Sequence, residues 1–347
     1  MSSRVRVAVL AGGRSSEHDI SVASAASVVQ GLQEAGFDAV PIEISREGRW
    51  SLPSAPQAAL EPHAQNDESP ASSLPIPSDR SAPALLGAVD VVFPVLHGPF
   101  GEDGTVQGLL ELADVAYVGP GVAASAVAMD KDLFKAVMRA NGIPVTRSIT
   151  VLARARSEAR NPFGFPLVVK PARLGSSVGI SLVRAAEELD QALDLAFAHD
   201  EKVLLEEYVS GTEIECSVLG NEQPFASEVG EIVPLKADWY DFASKYEDAG
   251  MDLVVPARIS AEQSARAQEL AVRAFVASDC EGMARVDMFV RDDGEVLVNE
   301  LNTIPGFTAT SVYAKLLEAS GISYPELLQR LVELALERHE RRARLRY

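Results

Sequence analysis

Residues 284–302, ARVDMFVRDDGEVLVNELN, decide the fold of this chain of 347 residues. Two runs rich in apolar residues flank the dipeptide Asp293-Gly294, which strongly favours the turn of a β-hairpin. The pattern therefore predicts one strand over residues 283–290 and a second over residues 295–301.

The pairing of this hairpin collects polar side chains on one face. If the loop is symmetric about its Asp-Gly dipeptide, Asp287 lies opposite Glu300, and Arg285 lies opposite Asn302. Strand side chains alternate, so all four share a face. Two facing carboxylates destabilise a sheet unless a cation lies between them. The set suits a magnesium ion, which takes oxygen ligands; the alternative is a solvated polar face, which the added amide and arginine disfavour.

Residues 170–179, KPARLGSSVG, form the second informative segment. Lys170 ends an apolar strand predicted over residues 167–170, where an unpaired ammonium group would be costly. The Gly/Ser loop that follows can direct several backbone N–H groups at an anion. We interpret the pair as a phosphate-binding clamp, although the spacing is not that of a Walker A motif. A flexible loop with a lysine that extends to solvent remains the alternative for this segment alone.

Two further loops follow predicted parallel strands, the position where α/β proteins place their sites. Residues 12–21, GGRSSEHDIS, follow a strand over residues 5–10. Residues 97–104, HGPFGEDG, follow a strand over residues 89–96. Glu17 is a candidate for binding a substrate ammonium group, or else an acid that stabilises the first turn of its helix. Within the second loop, at least one of the two acids is expected to have that same helix-stabilising role.

Composition narrows the functional classes. The formal net charge of −19 disfavours nucleic acid and the anionic membrane surface as partners. No uncharged run reaches the length of a membrane span, and no leader peptide is visible. Cys216 and Cys280 show no metal-binding spacing and are expected to be buried packing residues. We therefore expect a cytoplasmic protein.

The rest of the chain supplies the domain pattern. Residues 49–83 are rich in Pro, Ser and Ala and are interpreted as a surface insertion. Residues 235–251 form an aromatic, charged stretch. A helix is expected from Ser260, where the spacing to Gln263 matches a capping box. The basic run 338–346 is assigned to the solvated end of a final helix.

Taken together, these segments resemble the D-alanine–D-alanine ligases, a branch of the ATP-grasp superfamily, through essentially the whole chain. The most specific pieces are residues 97–108, HGPFGEDGTVQG, and the combination of Arg285-Val-Asp287 with residues 299–306, NELNTIPG. The Lys-Pro and Gly-Ser-Ser-Val-Gly pattern is shared by many ATP-grasp enzymes. Asp19 departs mildly from the family, where a glutamate is usual.

The resemblance implies an α/β fold, with α+β character in the ATP-binding part. A Rossmann-like N-terminal domain would cover residues 1–120, a central ATP-grasp subdomain residues 121–206, and a C-terminal subdomain residues 207–347. The last would carry the metal site and a lid loop over residues 235–251, and ATP would lie between the last two parts. A homodimer is expected.

The resemblance also implies roles for individual residues. The expected ATP-binding residues are Lys131, Lys170, Ser176, Ser177, Glu206, Glu207, Val209 and Glu213. Two Mg²⁺ or Mn²⁺ ions would be held by Asp287, Glu300 and Asn302. The first D-alanine would meet Glu17 through its ammonium group, with His97 nearby. The second subsite would be shaped by Lys245, Tyr246, Ser311 and Val312. The residues expected to act in catalysis are Glu17, Ser176, Tyr246, Arg285 and the backbone N–H of Gly306.

The implied reaction is the ATP-dependent joining of two D-alanine molecules through an acyl phosphate, for cell-wall precursor synthesis. Rival hypotheses within the superfamily are a D-alanine–D-lactate ligase, a ligase for unrelated carboxylates and a non-catalytic binding protein. An NAD-dependent oxidoreductase on the first βαβ unit is a rival from another class. The absence of a third glycine from its loop and the predicted metal hairpin count against it.

Overall fold

The structure is a computed structural model that describes residues 4–51, 86–234 and 251–346. Most of the predicted insertion 49–83 lies outside the described residues. So does the stretch 235–250, which includes Lys245 and Tyr246. The described chain forms three β-sheets with helices packed against them, as expected for an α/β chain with an α+β ATP-binding part.

The N-terminal sheet has the strand order β3-β2-β1-β4-β5. Strands β2, β1, β4 and β5 run parallel to one another, and the edge strand β3 runs antiparallel to β2. Its strands are β1 Arg6–Gly12, β2 Asp38–Ile44, β3 Trp50–Ser51, β4 Val91–Pro94 and β5 Ala116–Tyr117. The helices of this region are α1 His18–Glu34 and α2 Thr105–Leu112. The predicted strand after residue 89 is thus confirmed but shorter. The predicted βαβ unit is also present.

The central sheet is antiparallel with the order β6-β9-β7-β8. Its strands are β6 Ser148–Leu152, β7 Leu167–Pro171, β8 Ser181–Val183 and β9 Lys202–Glu207. Two helices precede it, α3 Val122–Met129 and α4 Lys131–Ala140, and α5 Leu189–Phe197 covers it. The apolar side chains of α3 and α4, such as Phe134 and Met138, pack into the core of the C-terminal sheet. The domain boundary expected at residue 121 therefore stays a prediction.

The C-terminal sheet is antiparallel with the order β12-β11-β10-β13-β14. Its strands are β10 Gly211–Gly220, β11 Phe225–Pro234, β12 Met251–Val254, β13 Gly282–Arg291 and β14 Val296–Asn302. The helix α6, Ala261–Ala277, packs on it and begins with the predicted capping box between Ser260 and Gln263. The chain continues through α7 Val312–Ala319 and α8 Tyr324–Ala343.

The register of the hairpin β13–β14 combines two departures from a simple loop. Near the turn, Val290 pairs with Val296, one residue out of step with a loop symmetric about Asp293-Gly294. A β-bulge at Asn299 then adds one residue to β14, so that Asp287 pairs with Glu300 as predicted. The predicted facing pair is thus confirmed, although the symmetric turn from which it was inferred is absent.

The final helix α8 returns to the N-terminal sheet. Its apolar residues Leu327, Leu328 and Leu331 share one buried core with side chains of β1 and α1. The assignment of its basic end to solvent was wrong for Arg338, which is 3% exposed. The guanidinium donates to the backbone carbonyls of Tyr117 and Gly119 and lies 4.2 Å from the Tyr117 ring centroid. This arginine therefore anchors the helix instead of facing water.

Candidate functional site

A cavity of about 360 Å³ lies between the central and C-terminal sheets. All of the residues expected to bind ATP line it: Lys131, Lys170, Ser176, Ser177, Glu206, Glu207, Val209 and Glu213. They come from the start of α4, the central sheet, its glycine-rich loop and the chain between β9 and β10. The structure thus brings together segments separated by more than eighty positions in the sequence, 131 to 213.

Two lysines reach one end of this cavity. The Lys131 ammonium donates to the backbone carbonyl of Leu174 at 2.8 Å and lies 3.2 Å from a Glu300 oxygen. The Lys170 ammonium bonds Glu206 at 2.8 Å and approaches the Asn299 side-chain oxygen at 3.4 Å. Both lysines are therefore held by partners with their charge beside the cavity, as an anion-binding site requires.

Glu206 lies between two ammonium groups. One of its oxygens is 2.8 Å from Lys170, and the other is 2.5 Å from Lys135 on α4. Burial raises the pKa of this carboxyl, but the two lysines outweigh burial and lower the pKa to about 2. Glu206 is therefore a carboxylate throughout the neutral range, and its side chain organises the lysines from within the wall of the cavity.

The loop between β7 and β8 has an unusual backbone. Ser176 and Ser177 both adopt left-handed conformations, with φ of 53° and 58°. Such angles are unfavourable for residues with a side chain and persist where the surroundings impose them. At the base of the loop, Arg173 is tied to Asp200 through its backbone N–H at 2.8 Å and its guanidinium. The Ser176 hydroxyl donates to Glu17 of the N-terminal domain, which joins the loop to a second part of the site.

The edge of the cavity near β9 is fixed by an ion pair. Arg147 donates to the Glu207 carboxylate from its backbone N–H at 2.8 Å and from Nε at 2.7 Å. The Glu207 side chain is thus held by Arg147, and the Glu207 backbone N–H also donates to the Arg147 carbonyl, at 2.9 Å. Glu207 therefore ties this edge of the cavity to the segment that leads into β6.

Arg285 and its neighbours form the polar face of the hairpin. Arg285 donates to Asp287 at 2.7 and 2.8 Å and lies 2.8 Å from Glu215 of β10. Burial lowers the pKa of Arg285, but the Asp287 and Glu215 carboxylates outweigh burial and hold the pKa well above its usual value. Asn302 donates to Asp287 at 2.9 Å. The four residues predicted to share this face therefore do so.

The chemistry of the hairpin fits a hard divalent cation. Asp287 and Glu300 are register partners, and with Asn302 they offer two carboxylates and an amide. Glu300 lines the cavity, and the Asp287 carboxylate beside it accepts hydrogen bonds from Arg285 and Asn302. No group of three or more His, Cys, Asp and Glu residues suited to a metal occurs within residues 4–51, 86–234 and 251–346. The two-carboxylate site thus needs oxygen ligands from a bound phosphate as well, and metal binding remains a prediction.

A second cluster joins the N-terminal domain to the segment after β14. The Glu102 carboxylate accepts the backbone N–H of Gly98 at 2.7 Å and that of Ile304 at 3.2 Å. His97 Nδ1 bonds the Ile304 carbonyl at 3.0 Å. Burial and then the negative charge of Glu17 raise the pKa of Glu102 to about 8. Both polar groups of the Ile304 peptide are therefore held by side chains from the loop 97–104.

The histidine of this cluster is buried and neutral. Burial lowers the pKa of His97, and this effect outweighs the attraction of the Glu17 carboxylate. Among the described residues, its Nε2 has no hydrogen-bond partner. With Nδ1 donating to a carbonyl, Nε2 is an acceptor that faces a polar cluster, and this suits a group which meets a substrate.

The remaining predicted residues lie on the other side of the same segment. Gly306 lies close to Ser311, and a Cβ added at Gly306 would lie 3.4 Å from the Ser311 hydroxyl. Ser311 precedes α7 and accepts a hydrogen bond from the Thr308 N–H at 2.9 Å. Val312 is buried in a small apolar cluster with Ile232. Val312 therefore packs inside the described chain, and its expected place in the second subsite stays a prediction.

Sequence reasoning missed three buried charged residues of the site. Lys135 and Glu215 lie on elements whose hydrophobic pattern gave no sign of function, and strands β10 and β11 were not predicted. The spacing of Lys131 and Lys135, one helical turn apart, is the signal that could have indicated the first. The third residue is Glu102: a helix-stabilising role was expected for at least one of the two acids in its loop, but its hydrogen bond from the Ile304 N–H was not predicted.

Two family models match the chain. The model described as the D-ala D-ala ligase N-terminus matches residues 6–120, and that of the C-terminus matches residues 137–333. The chain belongs to the D-alanine–D-alanine ligase family. It is 48% identical to the D-alanine–D-alanine ligase A of Mesorhizobium japonicum, covering 99% of this chain and 100% of that protein. It is also 48% identical to the D-alanine–D-alanine ligase of Deinococcus radiodurans, covering 96% and 98%.

Solved structures of family members share the architecture. The D-alanine–D-alanine ligase from Coxiella burnetii aligns with a TM-score of 0.80 at 36% identity and covers 98% of this chain and 96% of that chain. The VanG D-Ala:D-Ser ligase from Enterococcus faecalis aligns with a TM-score of 0.80 at 36% identity, covering 96% and 100%. These neighbours confirm the predicted ATP-grasp fold.

Proposed function

We propose that this protein joins two D-alanine molecules to D-alanyl-D-alanine, with ATP converted to ADP and phosphate. The contact between Ser176 and Glu17 carries this proposal. Through this hydrogen bond, the loop that we propose to bind phosphate contacts the acid that we propose to bind the ammonium of the first D-alanine. An amino acid held there has its carboxylate next to the end of the cavity where the lysines lie, as transfer of a phosphoryl group to that carboxylate requires.

The first step is activation of a carboxylate, which is a poor electrophile. Phosphoryl transfer depends on positioning and on neutralising charge more than on a protein nucleophile. Lys131 and Lys170 supply positive charge, and Ser176 and Ser177 of the glycine-rich loop line the same cavity. Asp287, Glu300 and Asn302 would hold two magnesium ions. When bound, magnesium neutralises the charge of the phosphate oxygens.

The second step forms the peptide bond. The amine of the second D-alanine attacks the acyl carbon, and the carbonyl oxygen becomes an oxyanion before phosphate leaves. Arg285, whose charge two carboxylates maintain, and the N–H of Gly306 would stabilise that oxyanion. Loss of one such donor costs about 3 kcal/mol of transition-state stabilisation.

The second subsite and its lid complete the proposal. Lys245 and Tyr246 would close over the substrates, with Tyr246 toward Glu17 and Ser176, while Ser311 and Val312 would shape the pocket. The product would serve cell-wall precursor synthesis in the cytoplasm, and the protein would act as a homodimer. Within the described ranges, no helix combines the length and apolar character needed to cross a membrane.

Measurement of phosphate release tests the proposed activity. Purified protein with ATP and magnesium is supplied with D-alanine alone, and then with D-alanine plus D-serine, D-lactate or L-alanine. Release with D-alanine alone and D-Ala-D-Ala as the main product of each mixture are expected. The D-Ala:D-Ser ligase among the structural neighbours makes D-serine the sharpest competitor. A dominant mixed product would overturn the assignment of the second substrate, and no release with any acceptor would overturn the ligase activity.

A further inference from the structure

Lys135 is a fully buried lysine beside the nucleotide cavity that does not line the cavity. Its side chain is 0% exposed, and its ammonium lies 2.5 Å from the Glu206 carboxylate. It also donates to the Thr146 hydroxyl. The cavity wall contains Glu206 and Lys170 but not Lys135. Lys135 therefore contacts the cavity wall through Glu206, whose carboxylate bonds both its ammonium and that of Lys170.

The charges of this cluster do not cancel. Two ammonium groups, on Lys135 and Lys170, share the single carboxylate of Glu206, so that their sum is one positive charge. Burial lowers the pKa of Lys135 to about 8, which leaves it mainly protonated at neutral pH. Without Lys135, Glu206 and Lys170 would form a neutral pair, and the cavity would face an ion pair in place of a net cation.

We propose that Lys135 is a positioning residue that neutralises Glu206, so that Lys170 presents an uncompensated positive charge to the phosphates of the nucleotide. This inference rests on the proposed use of ATP. The geometry supports it because the two lysines take separate oxygens of the carboxylate, Oε2 and Oε1. Lys135 thus also fixes the orientation in which Glu206 holds Lys170. A ligand without phosphates gains nothing from this arrangement.

Calorimetric titration of the full-length protein tests the proposal, with the ATP analogue AMPPNP plus magnesium and with adenosine as separate ligands. Lys135→Met is expected to weaken AMPPNP binding by about tenfold, as for the loss of one charge near a partly solvated site, and to leave adenosine binding nearly unchanged. An equal loss for both ligands would show that Lys135 only supports the cavity wall, and this would overturn the proposal. Unchanged AMPPNP binding would overturn it too.

A double substitution separates charge balance from packing. In the variant that combines Lys135→Met with Glu206→Gln, the cluster again carries one positive charge, on Lys170. This variant should recover most of the AMPPNP affinity lost by Lys135→Met, whereas additive losses would contradict the proposal. If Lys135→Met does not fold, Lys135→Gln replaces it, because its amide can still bond Thr146.

Lys202 provides the matched control. It is also a mostly buried lysine, with a 16% exposed side chain paired with Asp130 and Asp132, but neither it nor these acids line the cavity. Lys202→Met should lower the melting temperature and keep the wild-type preference for AMPPNP over adenosine. A loss of that preference equal to that of Lys135→Met would overturn the specific role of Lys135. Failure of the wild-type protein to bind AMPPNP would instead contradict the proposed function.

Discussion

Substitution of Glu102 by Gln tests how the N-terminal domain sets the geometry of the site. In the native protein, two carboxylate oxygens accept two separate backbone N–H groups, at 2.7 Å from Gly98 and at 3.2 Å from Ile304. A glutamine has one acceptor oxygen, and its amide NH₂ would face the second donor. The shorter bond to Gly98 is retained, so the bond to Ile304 is the one lost. The segment that leads to Gly306 is then held only by His97.

The magnitude follows from that single bond. The pKa of about 8 leaves Glu102 mainly uncharged at neutral pH, and a hydrogen bond between uncharged groups contributes about 0.5–1.5 kcal/mol. A loss of about 1 kcal/mol corresponds to about fivefold in kcat/KM for D-alanine. The KM for ATP should change much less, because Glu102 does not line the nucleotide cavity. Steady-state phosphate release at varied D-alanine and varied ATP measures both quantities.

The pH dependence of stability gives a second readout for Glu102. Its pKa is raised to about 8 in the folded protein from an ordinary value of 4.5. The unfolded chain therefore releases this proton at lower pH than the folded protein does. The free energy of unfolding that depends on Glu102 is highest below pH 4.5 and is lost as the pH rises toward 8. Urea unfolding at a series of pH values should show this decline, and Glu102→Gln should remove it.

Asp103 supplies a control in the same loop. Its carboxylate also accepts two backbone N–H groups, from Phe100 at 2.8 Å and from Thr105 at 2.9 Å, but neither group belongs to the segment after β14. Asp103→Asn should therefore leave kcat/KM for D-alanine near the wild-type value. Identical kinetics for Glu102→Gln and Asp103→Asn would refute the positioning argument.

Three further predictions test the fold and the cavity, two of them with a control variant. Arg338→Met should lower the free energy of unfolding by about 3 kcal/mol, since two buried carbonyls lose a charged donor; the partly exposed Arg342→Met should cost under about 1 kcal/mol in the same urea titration. Gly12→Ala should lower the melting temperature because a Cβ there would lie 2.4 Å from a backbone oxygen, whereas Gly108→Ala, in an open helical position, should raise it. Lys170→Ala should raise the KM for ATP far more than it lowers the unliganded melting temperature, and equal ATP kinetics would contradict the phosphate clamp.

The hairpin shows how far the sequence can be used for prediction. Alternation of apolar residues and the Asp293-Gly294 turn correctly indicated that Asp287 faces Glu300. The turn shifts the pairing by one residue from that of a symmetric loop, and the bulge at Asn299 shifts it back by one residue. The two shifts cancel at Asp287, so the predicted pair is correct although neither shift was predicted. Periodicity reports which face a residue occupies but does not report an inserted residue.

The burial of two charged residues could not be predicted from the sequence. Lys135 and Arg338 looked like ordinary polar positions of amphipathic helices, and charge alone favours an exposed location. Their burial depends on partners distant in sequence, Glu206 for the first and the carbonyls after β5 for the second. Only the tertiary structure supplies those partners. By contrast, the glycine-rich loops could be located because their composition is decided by local backbone demands.

The return of α8 to the N-terminal sheet has a consequence for synthesis of the chain. The apolar side chains of β1 and α1 are made well before Leu327, Leu328 and Leu331, which cover them. At a translation rate of about 5–20 residues per second, the roughly 310 intervening residues take about 15–60 seconds. For that interval the nascent N-terminal sheet has an uncovered apolar face. The protein therefore completes this core only once residues 327–331 have left the ribosome, and until then an apolar-binding chaperone can bind the uncovered side chains of β1 and α1.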